Sequence, residues 1–217
     1  MSTRGCYGFT KNGIDKITYN HFDSYPTHLG NVILDFICNT ETNELNSIFD
    51  NLKVVETDTK PNQEQVNEIV KIFGEKQVKD YLIRNMVFDK NDKDIKDKIQ
   101  EYLTNGFGNL LTFFQGEPSY LKKGLKYIVN DISFMGSSLF CKYAYIINLD
   151  NNTLEFYLGF NKKDTGNRFS QYVDESTGYK ECKLAIAIPF DIIRENQKMC
   201  LDIMDFISEK VSKRLVI

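Results

Sequence analysis

Two hydrophobic spacings share this chain, and they are segregated along it. Both ends carry short alternating or continuous apolar runs, whereas the middle repeats its apolar residues at helical intervals. Residues 4–20 read as a β-hairpin around Lys11-Asn12-Gly13. A two-residue Asn-Gly loop would set Gly8 against Ile17. A three-residue loop with Gly13 left-handed pairs Tyr7 with Ile17 instead and keeps the apolar residues on one face, so that register is the one expected. It brings Arg4 opposite Asn20 at the open end of the hairpin, beside His21 and Asp23.

Leu29–Cys38 has the stripe of a short amphipathic helix: Leu29, Val32, Ile33, Phe36 and Ile37. Polar residues follow to about Thr59, with a helical turn or two around Leu45, Ile48 and Phe49. Pro61 opens a helix with Val66, Ile69, Val70 and Phe73 at i, i+3, i+4, i+7, and Gly74 stops it. Another helix is expected over Gln77–Met86. The mixed charges of 89–98 have the pattern of a solvated face leading into a helix that ends near Leu103. Residues 40–125 therefore read as a helical insertion.

Strand signals return at Phe140–Leu149 and Thr153–Phe160, either side of the turn Asp150-Asn151-Asn152. Leu154, Phe156, Leu158 and Phe160 alternate with polar or amphipathic residues, the pattern of a half-buried strand. Asn161–Lys180 is a polar loop. The continuous run Leu184–Ile188 suits a central strand buried on both faces. A last helix, about 194–212, turns Cys200, Ile203, Met204, Ile207 and Val211 inward. The expectation is one α+β domain over 1–217: a mainly antiparallel sheet with packed helices and a helical insertion.

The composition narrows the partners. With 217 residues, 41% of them hydrophobic, the chain can build a sizeable core. A net charge of -3 argues against direct nucleic-acid binding, which needs a basic excess, and is too small for a DNA mimic. Five scattered cysteines without a C-x-x-C pair form neither a disulfide framework nor a zinc knuckle and read as reduced, mostly buried thiols. No apolar run approaches a membrane span, no signal sequence is evident, and Ser2 replaces the glycine that myristoylation needs. A cytoplasmic protein is expected, with neither cofactor nor membrane.

The chemistry concentrates in Tyr19-Asn20-His21-Phe22-Asp23-Ser24-Tyr25-Pro26-Thr27-His28, which holds both histidines. As a metal site, His21, Asp23 and His28 have the right ligand types but a spacing that matches no established motif, so turn chemistry is the better reading and no metal is assigned. As an N-terminal nucleophile hydrolase, the chain would use Ser2 after methionine removal, with Thr3 and Cys6 less convenient. As a polar ligand pocket, Arg4 supplies a fork for phosphate or carboxylate and Asn20 reads a base edge or amide. Tyr19, Phe22 or Tyr25 stacks on a ring, and Asp23 orients Arg4 or accepts from a ribose. The pocket reading accounts for more of these residues than a turn requires. Its candidate ligand-binding residues are Arg4, Asn20, His21, Asp23 and Tyr25; no catalytic residue is assigned.

The run Thr3-Arg4-Gly5, Tyr7-Gly8-Phe9, Asn12-Gly13, Lys16 and Tyr19 through Pro26 resembles the opening of a group of largely uncharacterised phage and prophage proteins. These begin with a Thr-Arg pair and a glycine turn and carry a Tyr-x-x-aromatic-Asp-[Gly/Ser]-Tyr-Pro segment. The likeness covers the first thirty residues and the 143–160 hairpin, with Arg4, Asp23, Tyr25 and Pro26 as shared positions. It implies a mobile genetic element as the setting, in a bacterial host cell. There, a small accessory protein that counters host defence is expected, binding a host defence protein or a small nucleotide-like ligand. A hydrolase, N-terminal-nucleophile-like through Ser2 or dependent on the His/Asp cluster, and a protein–protein inhibitor of a CRISPR or other defence effector, acting through the helical insertion, are the alternatives.

Overall fold

The computed structural model describes residues 3–85 and 93–214, with side chains described to Lys210. Ser2, Met86, residues 89–92 and the Val211 side chain, all named above, lie outside the described residues. The chain forms two compact units, one of residues 1–51 and 131–217 and the other of 52–130.

The first unit is an α+β sheet structure. Strands β1 (Gly5–Lys11), β2 (Ile14–Asn20), β5 (Tyr143–Asn148), β6 (Thr153–Leu158) and β7 (Lys183–Pro189) lie in the order β2-β1-β5-β6-β7. All neighbours are antiparallel except β1 and β5, which run parallel with Tyr7 beside Tyr145. Helices α1 (Asn31–Cys38), α2 (Thr42–Asn51), α8 (Phe190–Glu195) and α9 (Gln197–Arg214) complete the unit. The expected last helix corresponds to α9, which Asn196, outside the helical region at φ -150° and ψ 68°, separates from α8.

The hairpin adopts the register that sequence reasoning set aside. Gly8 pairs with Ile17, Phe9 with Lys16 and Gly5 with Asn20. Consecutive positive φ angles at Asn12 (53°) and Gly13 (73°) make the tight two-residue turn, and Asp150 holds its tip by accepting the Asn12 amide at 2.9 and 2.8 Å. The one-face argument failed because β1 is a central strand, buried on both faces from Gly5 to Thr10. On one face Phe9 meets Phe36 of α1 edge-on at 6.4 Å, and Gly30 brings the chain against the ring of Tyr145. On the other, Cys6, Ile17, Ala144, Ile146 and Tyr157 pack with Met135, Cys141, Phe169 and Cys182.

β6 is likewise buried on both sides, so the polar half of its alternation, Glu155 and Tyr157, does not face solvent. Leu184–Ile188 is the reverse case, since β7 is an edge strand. Leu184 is 42% exposed, Ala187 is exposed, and a register irregularity lies opposite Phe156/Tyr157. Lys183, the irregularity and Pro189 are features that keep an apolar edge from recruiting another strand.

The second unit pairs two short parallel strands, β3 (Lys53–Val55) and β4 (Tyr127–Val129). Between them run helices α3 (Gln63–Phe73), α4 (Glu75–Asn85), α5 (Ile95–Thr104), α6 (Phe107–Leu110) and α7 (Ser119–Lys122). Asn62 and Gln65 form a reciprocal capping box at the start of α3. No described helix is long and apolar enough to cross a membrane.

Candidate functional site

The hairpin's open end is built from both flanks of the sheet. Arg4 leads into β1, His21 leaves β2, and Phe140 and Lys142 precede β5; the Arg4 carbonyl accepts the Lys142 amide at 3.0 Å. The Arg4 guanidinium lies 4.9 Å from the centre of the Phe140 ring. Tyr19 donates to or accepts from His21 Nδ1 at 2.7 Å, with the charge of Arg4 nearby. Burial pushes the Tyr19 phenol up, against the opposing charge of Arg4. A Tyr19–His21 pair beside Arg4 therefore lies at the mouth, with Phe22 against His21 (4.3 Å) and Phe134 against Tyr19 (5.1 Å), both edge-on.

Phe22 (63%), Phe140 (42%) and Tyr25 (40%) leave large aromatic surface open to solvent. Lys142 lies over Phe160 at 5.7 Å. Among the described residues no carboxylate forms an ion pair with Arg4 or Lys142. Two cations and several exposed rings thus share one end of the sheet.

The predicted residues divide into two groups. Arg4 and His21 border the mouth, whereas Tyr25 lies 6.3 Å from Tyr143, on the sheet face opposite the one that carries Cys6 and Tyr19. Asn20 does not face a ligand: it is 3% exposed, and its Nδ2 donates to Phe22 O (2.5 Å) and Ser24 Oγ (2.8 Å). It is a clamp inside the loop. Asp23 is exposed with a left-handed backbone (φ 50°), which aspartate tolerates, and forms no ion pair with Arg4; its carbonyl accepts the Leu29 amide. Ser24 ties the loop down, donating its amide to Thr3 O at 3.1 Å and accepting the Tyr145 hydroxyl at its carbonyl at 3.0 Å. Among the described residues no group of three or more His, Cys, Asp or Glu is placed to hold a metal ion.

Sequence reasoning missed Phe140 and Lys142, which carried no signal beyond starting a strand. It also missed a polar network at the opposite end of the sheet. There Arg168 reaches Asp15 through Nε (3.1 Å), Glu155 through Nη2 (2.7 Å) and the Tyr157 hydroxyl through Nη1 (3.0 Å). Tyr157 donates onward to Glu155 (2.9 Å), and Asn148 donates to the other Glu155 oxygen (2.7 Å). Burial raises the Asp15 carboxyl against the pull of Arg168. For Glu155 the largest influence, burial, also pushes upward, but bonds from Arg168, Asn148 and Tyr157 together outweigh it and hold the group low. A glutamate within the alternating run 154–160 was the available signal.

No family description, curated protein or solved structure matches the chain.

Proposed function

We propose that the chain is a binding protein whose sheet-end mouth takes a small ligand combining a flat ring with an anionic group, as a nucleotide does. The observation that carries this reading is the Arg4 guanidinium lying over the exposed Phe140 ring with, among the described residues, no carboxylate paired to it. A guanidinium in this setting offers a fork to phosphate, while Phe22 and Phe140 offer surfaces on which a base stacks. Lys142 adds a second positive charge. With the resemblance of the N-terminal segment to phage proteins, the reading extends to an accessory protein that sequesters a nucleotide-like signal of host defence.

Isothermal titration calorimetry reads binding directly. Titration with nucleoside monophosphates and with cyclic dinucleotides is expected to saturate. Arg4→Ala or Phe140→Ala should weaken binding at least about tenfold, roughly 1.4 kcal/mol. Absence of saturation with every nucleotide, or unchanged affinity in Arg4→Ala, overturns the proposal. A protein–protein inhibitor would then be sought through charge swaps in 93–98. A hydrolase would show as turnover abolished by Ser2→Ala.

A further inference from the structure

The mouth's pairing of a cation with a ring is repeated twice more in the same unit. Beside Arg4 over Phe140 at 4.9 Å, Lys142 lies 5.7 Å from the centre of the Phe160 ring and Lys162 lies 5.1 Å from that of Tyr179. Backbone hydrogen bonds set the three pairs in order across the sheet end. The Arg4 carbonyl, leading into β1, accepts the Lys142 amide (3.0 Å), and the Lys142 carbonyl accepts the Gly159 amide just past β6 (2.9 Å). The Asn161 carbonyl, between Phe160 and Lys162, accepts the amide of Lys180, the neighbour of Tyr179 (2.8 Å). With adjacent strands about 4.8 Å apart, the first two pairs span about 10 Å from β1 to β6.

The middle pair sits on strained backbone. Phe160 has φ 54°, a left-handed conformation that a bulky aromatic residue seldom adopts. Three consecutive amides hold it there: that of Gly159 on Lys142 O (2.9 Å), that of Phe160 on Ser138 O (2.7 Å) and that of Asn161 on Ser138 Oγ (3.0 Å). The ring so placed is half-buried and is not one of the buried core residues, so core packing does not account for the strain. Strain of this kind clusters where a side chain is presented to a ligand. The charges point the same way. Among the described residues neither Lys142 nor Lys162 pairs with a carboxylate, whereas Lys180 pairs with Glu175 at 2.7 Å.

We propose that the mouth is the first of three subsites for a short linear oligonucleotide, whose phosphates meet Arg4, Lys142 and Lys162 and whose bases stack against Phe140, Phe160 and Tyr179. This rests on the mouth's taking a nucleotide and extends the ligand to two or three of them. Stacking on aromatic rings tolerates any base, so selection is by length and phosphate spacing. The net charge of -3 fits a short ligand: three local cations match three phosphates, while the acidic balance elsewhere disfavours a long strand.

Calorimetric titration of the full chain with adenosine monophosphate and with linear diadenylate and triadenylate tests this. Affinity should rise at least about tenfold from one nucleotide to three. Lys162→Gln, at an exposed side chain, and Phe160→Gly, which suits the left-handed backbone while removing the ring, should each cut the ratio of triadenylate to monophosphate affinity severalfold. Arg4→Ala should weaken all three ligands. Should Phe160→Gly fail to fold, Lys162→Gln decides alone. Equal affinity for one and three nucleotides, or a ratio that Lys162→Gln does not lower, overturns the proposal and leaves the mouth's single-nucleotide reading standing. No binding of any of the three ligands overturns both.

Discussion

Asn20→Ala separates a clamp from a ligand contact. The wild-type amide is buried and donates to Phe22 O and Ser24 Oγ, 2.5 and 2.8 Å away. Each bond contributes about 1 kcal/mol net, and truncation leaves the Phe22 carbonyl without this donor and a small void beside Ser24. The expected destabilisation is about 2–3 kcal/mol. With a urea m-value of about 2–3 kcal/mol/M, the unfolding midpoint should fall by about 1 M. Arg4→Ala gives the contrast: Arg4 is half-buried, its ring contact is worth about 0.5–1 kcal/mol, and its midpoint should move by less than half as much. Equilibrium urea unfolding followed by circular dichroism reads both. An Asn20→Ala midpoint within about 0.2 M of the parent, corresponding to about 0.5 kcal/mol, would refute the clamp and return Asn20 to the ligand-reading role.

Other substitutions test the sheet and its polar network. Gly8→Ala places a methyl group against the Lys16 carbonyl in a central strand pair and should cost more than about 3 kcal/mol or prevent folding, read as loss of the cooperative urea transition. Gly13→Ala, at φ 73° in an open turn, should cost only about 1 kcal/mol in the same assay. Glu155 is held below the usual glutamate range, so its contribution is present above the unfolded value of about 4.3 and is lost as pH falls through its folded value. Glu155→Gln should remove that acid-side component, seen by comparing urea midpoints at about pH 3 and about pH 6. Cys6, Cys141 and Cys182 are completely buried; burial raises the first two thiols, and a hydrogen bond with Cys141 followed by burial raises the third. A thiol reagent should label these three only on unfolding, and labelling in the native protein at a free-thiol rate would contradict the packing.

What the sequence made legible follows from how local each signal is. The Asn12-Gly13 turn, the Asp150–Asn152 turn and the helical stripes are fixed by neighbours in the chain, and their elements appear where the pattern puts them. Register and strand order depend on distant partners. Preferring Tyr7 opposite Ile17 assumed one wet face, yet β1 lies between β2 and β5 with cores on both sides. The same uncertainty reversed Leu184–Ile188: an apolar run marks a buried strand only if strands lie on both sides, and nothing in residues 184–188 states that β7 ends the sheet. At the candidate site, the dense polar run was visible but its internal economy was not. Asn20 and Ser24 spend their hydrogen bonds on holding the loop, while the exposed ring over which Arg4 lies comes from Phe140, more than a hundred residues away. A residue's type shows which bonds it can make; only the fold shows whether those bonds are already taken.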